Sequence, residues 1–218
     1  MALRRTQQER REETRRALLD AAVASLLEVG YARTTTLEVQ KRAGVSRGAL
    51  LHHFPSKAQL LAAAIEHVVR IRGAELERRL AAMPAGGARA GAALDLLWDV
   101  YADPHIQVSI ELWAAARTDA ELHGALIGQE RAFGRTMRSI CRQIFGDETV
   151  ARPGFDEAVD VTLQLLRGAA LTSIMRPDAN RFARLREVWG LVLSRWLGPA
   201  GAPAPSTEGD EDGERTSI

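Results

Sequence analysis

The chain has 218 residues, 46% of them hydrophobic and 26% charged, which is ordinary for a globular protein with a sizeable core. Its apolar runs fall far short of a membrane span, and Cys141, the only cysteine, excludes an intramolecular disulfide and a paired-cysteine zinc site. The net charge of +1 hides unlike parts: residues 1–60 hold 11 Lys and Arg against 6 Asp and Glu, residues 61–198 hold 17 against 17, and residues 199–218 hold 1 against 5. A basic head on a neutral body points to a polyanion at one end only.

In chain order, the opening MALRRTQQERREETRR is charged where a secretory signal needs an apolar segment of about 7 to 15 residues, so a cytoplasmic protein is expected. Leu18, Leu19, Ala22, Val23, Leu26 and Leu27 recur with the helical period and predict a first helix over 7–29, stopped by Gly30. The arginines at 4, 5, 10, 11, 15 and 16 either form an arm for a minor groove or solvate a helix that also carries Glu9, Glu12 and Glu13. Further helices are predicted over 36–43, 46–53, 57–82, 88–102, 105–117, 119–145, 155–175 and 180–197, with Gly, Pro and Asp between them. No alternating strand pattern competes, so the fold class is all-α. The last twenty residues, rich in Pro, Gly and acid, are predicted to be a disordered tail.

The stretch TTTLEVQKRAGVSRGALLHHFPSKAQLL, residues 34–61, is the informative one. Thr35 and Glu38 form a capping-box pattern at the start of the second helix, which packs inward through Leu37 or Val39 and Ala43. Gly44 supplies the left-handed residue that ends it, and Ser46 caps the next helix. There Leu50 and Phe54, four apart, face the core with Val45, while Arg47, Ala49, Leu51, His52 and His53 point outward and suit a major groove. Ser56 then caps a helix with Lys57 in its first turn, a phosphate site in miniature. The spacing alone fits an α-hairpin corner as well as a helix-turn-helix. His52 and His53 read poorly as metal ligands, since neighbours on a helix diverge by about 100 degrees.

The string Gly30-Tyr31, Thr34-Thr35, Ala43-Gly44-Val45-Ser46, Gly48, Leu50, His53-Phe54-Pro55-Ser56-Lys57 and Leu60-Leu61 strongly resembles the N-terminal domain of the TetR/AcrR family of bacterial regulators. The match covers roughly residues 12–65; the rest shares only the helical layout and length. The resemblance implies a three-helix helix-turn-helix domain over 1–56, a helical ligand-binding and dimerisation domain over 57–198, and the acidic tail over 199–218. It implies double-stranded DNA as partner, with Thr34 and Thr35 on phosphates and Arg47 on a base edge or phosphate. Gly48 and Ala49 would allow close backbone approach, and His53 and Lys57 would hold phosphates. Many relatives carry Tyr at the position of Leu51 and often at that of His52; here Leu51 suits a thymine methyl and His52 can still donate to DNA.

Beyond residue 60 there is no nucleophile motif, phosphate loop or metal spacing, and no enzyme activity, cofactor or metal is expected. Trp98, Tyr101, Ile110, Trp113, Phe133 and Met137 are either plain core or, as the resemblance implies, the lining of a small-molecule pocket, with His105, Glu111, Arg117 and Arg131 as candidate polar anchors. The helices at 155–175 and 180–197 carry more apolar surface than one stripe can bury, so they are expected to pair with a second copy in a homodimer. The function expected is a ligand-responsive regulator, a repressor on a near-palindromic operator; the alternative is a helical small-molecule-binding or enzymatic protein with a vestigial helix-turn-helix.

Overall fold

The computed structural model describes residues 6–82, 89–176 and 179–197. The arginines at 4 and 5, the Gly86-Gly87 link and the acidic tail lie outside them. The described residues form nine helices in the order α1 (Gln7–Arg33), α2 (Thr36–Ala43), α3 (Arg47–His53), α4 (Lys57–Ala81), α5 (Arg89–Ala102), α6 (Pro104–Ala116), α7 (Ala120–Val150), α8 (Phe155–Met175) and α9 (Ala179–Trp196), with no strand among them. The fold is all-α, as the sequence predicts.

Two long helices run past their expected ends. Gly30 does break α1, at φ 73° and ψ 177°, but helical bonding resumes for a further turn to Arg33. Likewise α7 is broken at Gly146 (φ 72°) and continues to Val150 rather than ending at residue 145. The start of α1 is fixed by a reciprocal cap: the Glu9 amide donates to Thr6 Oγ1 at 3.2 Å and the Thr6 amide to Glu9 Oε2 at 2.7 Å.

At 8 and 7 residues, α2 and α3 are too short to persist alone. They are held by burial. Val39 of α2 and Leu50 of α3 insert beside Leu18, Leu19 and Ala22 of α1, with Phe54 closing the cluster. Each such side chain, fully buried, contributes about 1.5 to 3 kcal/mol. Val39 therefore faces inward, whereas Leu37 stands in solvent. Leu60 and Ala64 of α4 complete the same cluster, so the cut expected after residue 56 falls just before a helix that belongs to both parts.

On its other side α4 packs Leu61 and Ile65 against Leu112, Leu122 and Leu126, joining head to body. The body core gathers Leu97, Ile110, Phe133, Met137, Leu163, Leu166 and Leu193 from α5 to α9. Cys141 is buried within it, and burial pushes its thiol up to about 12, which makes it an inert core residue. Trp189 Nε1 donates to Thr162 Oγ1 at 2.9 Å, tying α9 to α8. Even so, Val161, Leu171, Ile174 and Met175 of α8 and Val188, Leu191, Val192 and Trp196 of α9 remain exposed. Among the described residues no helix is long and apolar enough to cross a membrane.

Candidate nucleic-acid interface

The turn between α2 and α3 depends on Gly44, whose φ of 67° and ψ of 29° place it in the left-handed region that side chains disfavour. Ser46 then caps α3, its Oγ accepting from the Ala49 amide at 3.2 Å, and Ser56 caps α4 by accepting from the Gln59 amide at 3.2 Å. These caps and the buried pair Leu50 and Phe54 fix the roll of α3, so Arg47, Gly48, Leu51 and His52 face solvent with Ala49 and His53 at the edges. Leu51 is 43% exposed and puts one apolar group on that face.

The capping box expected at α2 forms by half. Thr35 Oγ1 accepts from the Glu38 amide at 3.1 Å, but the Glu38 carboxylate turns to Arg42, 3.0 Å away, instead of returning to the cap. Arg42 is also paired with Glu28. Thr35 itself is exposed and keeps a hydroxyl proton to donate.

Two of the residues expected on phosphates are engaged within the fold. Thr34 is 1% exposed; its hydroxyl donates to the Gly30 carbonyl at 2.8 Å and lies 3.0 Å from Ser25 Oγ. It is spent on closing the end of α1. Lys57 donates to the Tyr31 carbonyl at 3.2 Å and lies over the Tyr31 ring, 4.2 Å from its centroid. Its half-buried ammonium is pushed below its usual pKa by desolvation, against a smaller opposing pull from Asp119. A lysine after a capping serine looks like a free anion site in sequence; nothing in that spacing reveals a ring and a carbonyl 26 residues earlier. Arg47 is the contrast, exposed and without an ion-pair partner among the described residues.

Beside α3 the first turns of α1 form the second wall of a concave surface of about 810 Å³, lined by Gln7, Arg10, Arg11 and Arg15 on one side and Ala49, His52 and His53 on the other. Arg15 lies over the Phe54 ring at 5.4 Å. The described arginines, at 10, 11, 15 and 16, sit on a folded helix, and that helix flanks α3. Desolvation first, then His52, Arg11 and Arg15, hold His53 below the usual imidazole range. The His52 and His53 rings are 5.7 Å apart and inclined by 71°, which is no chelating arrangement.

Tyr31 joins this head to the body. Its amide donates to Glu111 Oε1 at 2.9 Å and its hydroxyl to Asp119 Oδ2 at 3.2 Å. A Cβ at neighbouring Gly30 would stand 3.0 Å from the same Glu111 oxygen.

The six residues expected around one pocket are divided. Phe133 and Met137 line an apolar cavity of about 120 Å³ among α4 to α7. Tyr101 lines a separate polar cavity of about 260 Å³ between α7 and α8. The edge-to-face pair of Tyr101 and Phe133, 6.0 Å apart, stands between them. Trp98 turns instead to α9 and stacks on Phe182 at 3.3 Å, Ile110 is core, and Trp113 carries the Arg167 guanidinium at 4.8 Å. Neighbouring helix positions point to different partners, which a list of aromatics cannot reveal. Of the polar anchors, Arg131 lines the polar cavity and Glu111 serves the joint at Tyr31.

Residues 18–64 match the model of the bacterial regulatory proteins, tetR family. An uncharacterised HTH-type transcriptional regulator of Mycobacterium tuberculosis is 35% identical over 174 residues, covering 80% of this chain and 89% of that one. The HTH-type transcriptional regulator CymR of Pseudomonas putida is 34% identical over 187 residues, covering 84% and 90%. Among solved structures, the multidrug binding protein EbrR complexed with imidazole superposes with a TM-score of 0.63 at 20% identity, covering 95% of this chain and all of that one. With its helix-turn-helix and its near full-length relatives, the chain belongs to the TetR family of DNA-binding transcriptional regulators.

Proposed function

We propose that the protein is a homodimeric repressor in the cytoplasm that binds a near-palindromic operator and leaves it when a small molecule occupies the body. The observation that carries this reading is the solvent face of α3, where Arg47, Leu51 and His52 stand outside while Leu50 and Phe54 are buried. Arg47 contacts a base edge or phosphate, Gly48 and Ala49 permit close approach, Leu51 meets a thymine methyl, and His52, His53 and Thr35 donate to the DNA. Arg10 and Arg11 extend the positive surface along the backbone. Two copies joined through α8 and α9 would set two α3 helices about 34 Å apart, one turn of duplex.

Release by a ligand is supported by the joint at Tyr31. Movement of α6 carries Glu111, and Glu111 holds the amide at the end of α1. An effector that favours one placement of α6 biases the spacing of the heads by a population shift. That the similarly folded EbrR is a multidrug binding protein, solved in complex with imidazole, is in keeping with such a role. An electrophoretic mobility assay with DNA from beside its own gene tests the reading: a sequence-selective shift at moderate salt is expected, and equal affinity for any duplex overturns it.

A further inference from the structure

Two buried side-chain polar atoms among the described residues have no hydrogen-bond partner, Tyr101 Oη and Arg167 Nε. Both residues line the same polar cavity between α7 and α8. Tyr101 is 1% exposed, so bulk water does not satisfy its hydroxyl. Burial pushes the phenol up, countered in part by the charge and hydrogen-bonding pull of neighbouring Arg167, and the phenol's own proton has no acceptor. Each atom carries a proton to donate, and what the pair lacks is an acceptor.

The rest of the wall has the matching excess. Four arginines, at 131, 135, 138 and 167, face two carboxylates, Glu130 and Asp160. Arg138 is held by Asp160 at 2.9 Å, and a terminal nitrogen of Arg167 lies 3.7 Å from Glu130. Arg131 and Arg135 have no acidic partner among the described residues. A Cβ at Gly134 would come within 3.3 Å of Arg138 Nη1, so the bare glycine leaves room for that arginine in the cavity wall. The cavity's volume, about 260 Å³, suits a small molecule rather than a peptide.

We propose that this cavity is a binding site for a small-molecule carboxylate, whose oxygens accept from Tyr101 Oη and Arg167 Nε while Arg131 and Arg135 neutralise its charge. Planar carboxylate and guanidinium groups match in geometry, and charge-assisted hydrogen bonds in a partly dry site are the strong ones. The site also has an outlet to the rest of the molecule. Arg167 rests on Trp113 of α6, two residues from Glu111, the group that holds Tyr31. A carboxylate that draws Arg167 toward α7 changes the contact that positions α6. The role as effector rests on the ligand-release reading above; the binding chemistry does not.

The test is thermal unfolding of the full chain with acetate, hexanoate and succinate at constant ionic strength, with hexanamide as the neutral control. At a hundredfold excess over its Kd, at least one carboxylate is expected to raise the midpoint by about 5 to 10 °C while hexanamide does not. Tyr101→Phe, which removes a buried unsatisfied group and is expected to fold as well as the wild type, should weaken binding about tenfold. Exposed Arg135→Gln should weaken it by a smaller factor. No shift with any carboxylate, an equal shift with hexanamide, or unchanged binding in both variants overturns the proposal. A mobility assay on the same samples separates the two ideas: selective DNA binding without a carboxylate response sinks only the site, and a carboxylate response without selective DNA binding sinks only the regulator reading.

Discussion

At one end of the molecule, α3 turns Leu50 and Phe54 inward and leaves Arg47, Ala49, Leu51 and His52 outside. At the other, α8 and α9 bury Leu163, Leu166 and Leu193 and still leave Leu191 65% and Met175 82% exposed. The first face is polar and positive around one leucine, and a polyanion with thymine methyls complements it. The second is apolar along two helices, and only another apolar surface complements it. Both uncovered faces ask for a partner, and the chemistry of each says which kind.

The largest effect should come from spoiling the apolar face. Val188→Glu with Leu191→Glu is expected to convert a dimer to a monomer in light scattering behind a sizing column. It should also lower operator affinity about 10²- to 10⁴-fold, because the second head no longer binds at high effective concentration. A double variant that stays dimeric breaks the assignment of that face. Arg47→Ala comes next, with a loss of about 1 to 3 kcal/mol in DNA binding and a salt slope shallower by about one unit. Lys57→Ala is its counterpart: an unchanged slope and a fold destabilised by about 1 kcal/mol, since the lysine lies on Tyr31. A flattened slope would return Lys57 to the phosphate contacts.

The smallest effect concerns His53. In the free protein its pKa is lowered, so the stability linked to its neutral ring is present above the unfolded value of about 6.5 and is lost as pH falls below it. Beside a phosphate the same ring takes up a proton. DNA binding should therefore strengthen, by less than about tenfold, as pH drops from about 7.5 to 6, while the free fold weakens slightly. His53→Gln should flatten the binding profile; a wild-type profile already flat removes His53 from the contact surface.

The sequence made the head legible because its signals are local. Gly44, Ser46 and Ser56 act within a few residues of themselves, and the period of Leu50 and Phe54 orients α3 without reference to the rest of the chain. What the spacing leaves open is which partner each polar group takes, near or far in the chain. The resemblance puts Thr34 on a phosphate, whereas in the fold its hydroxyl is taken by Gly30 and Ser25 at the end of α1. Lys57 engages Tyr31, and Glu38 engages Arg42 rather than its own cap, by the same kind of competition. The cap at Thr6 is a local signal too, carried by the Thr-x-x-Glu spacing of residues 6–9. In the body, a list of aromatics could not say that Trp98 and Tyr101, three apart, serve different neighbours.

Tyr31 has a bearing on how such proteins can be rebuilt. Its amide, ring and hydroxyl engage Glu111, Lys57 and Asp119, so the seam between head and body runs through four side chains far apart in the chain. Grafting this head onto a foreign body would transplant Tyr31 and Lys57 but leave both acceptors behind. A chimera with an intact seam would have to carry the carboxylates at 111 and 119 with it, and restoring that pair is the smallest change by which a loosely joined hybrid could be made to hold its head in place.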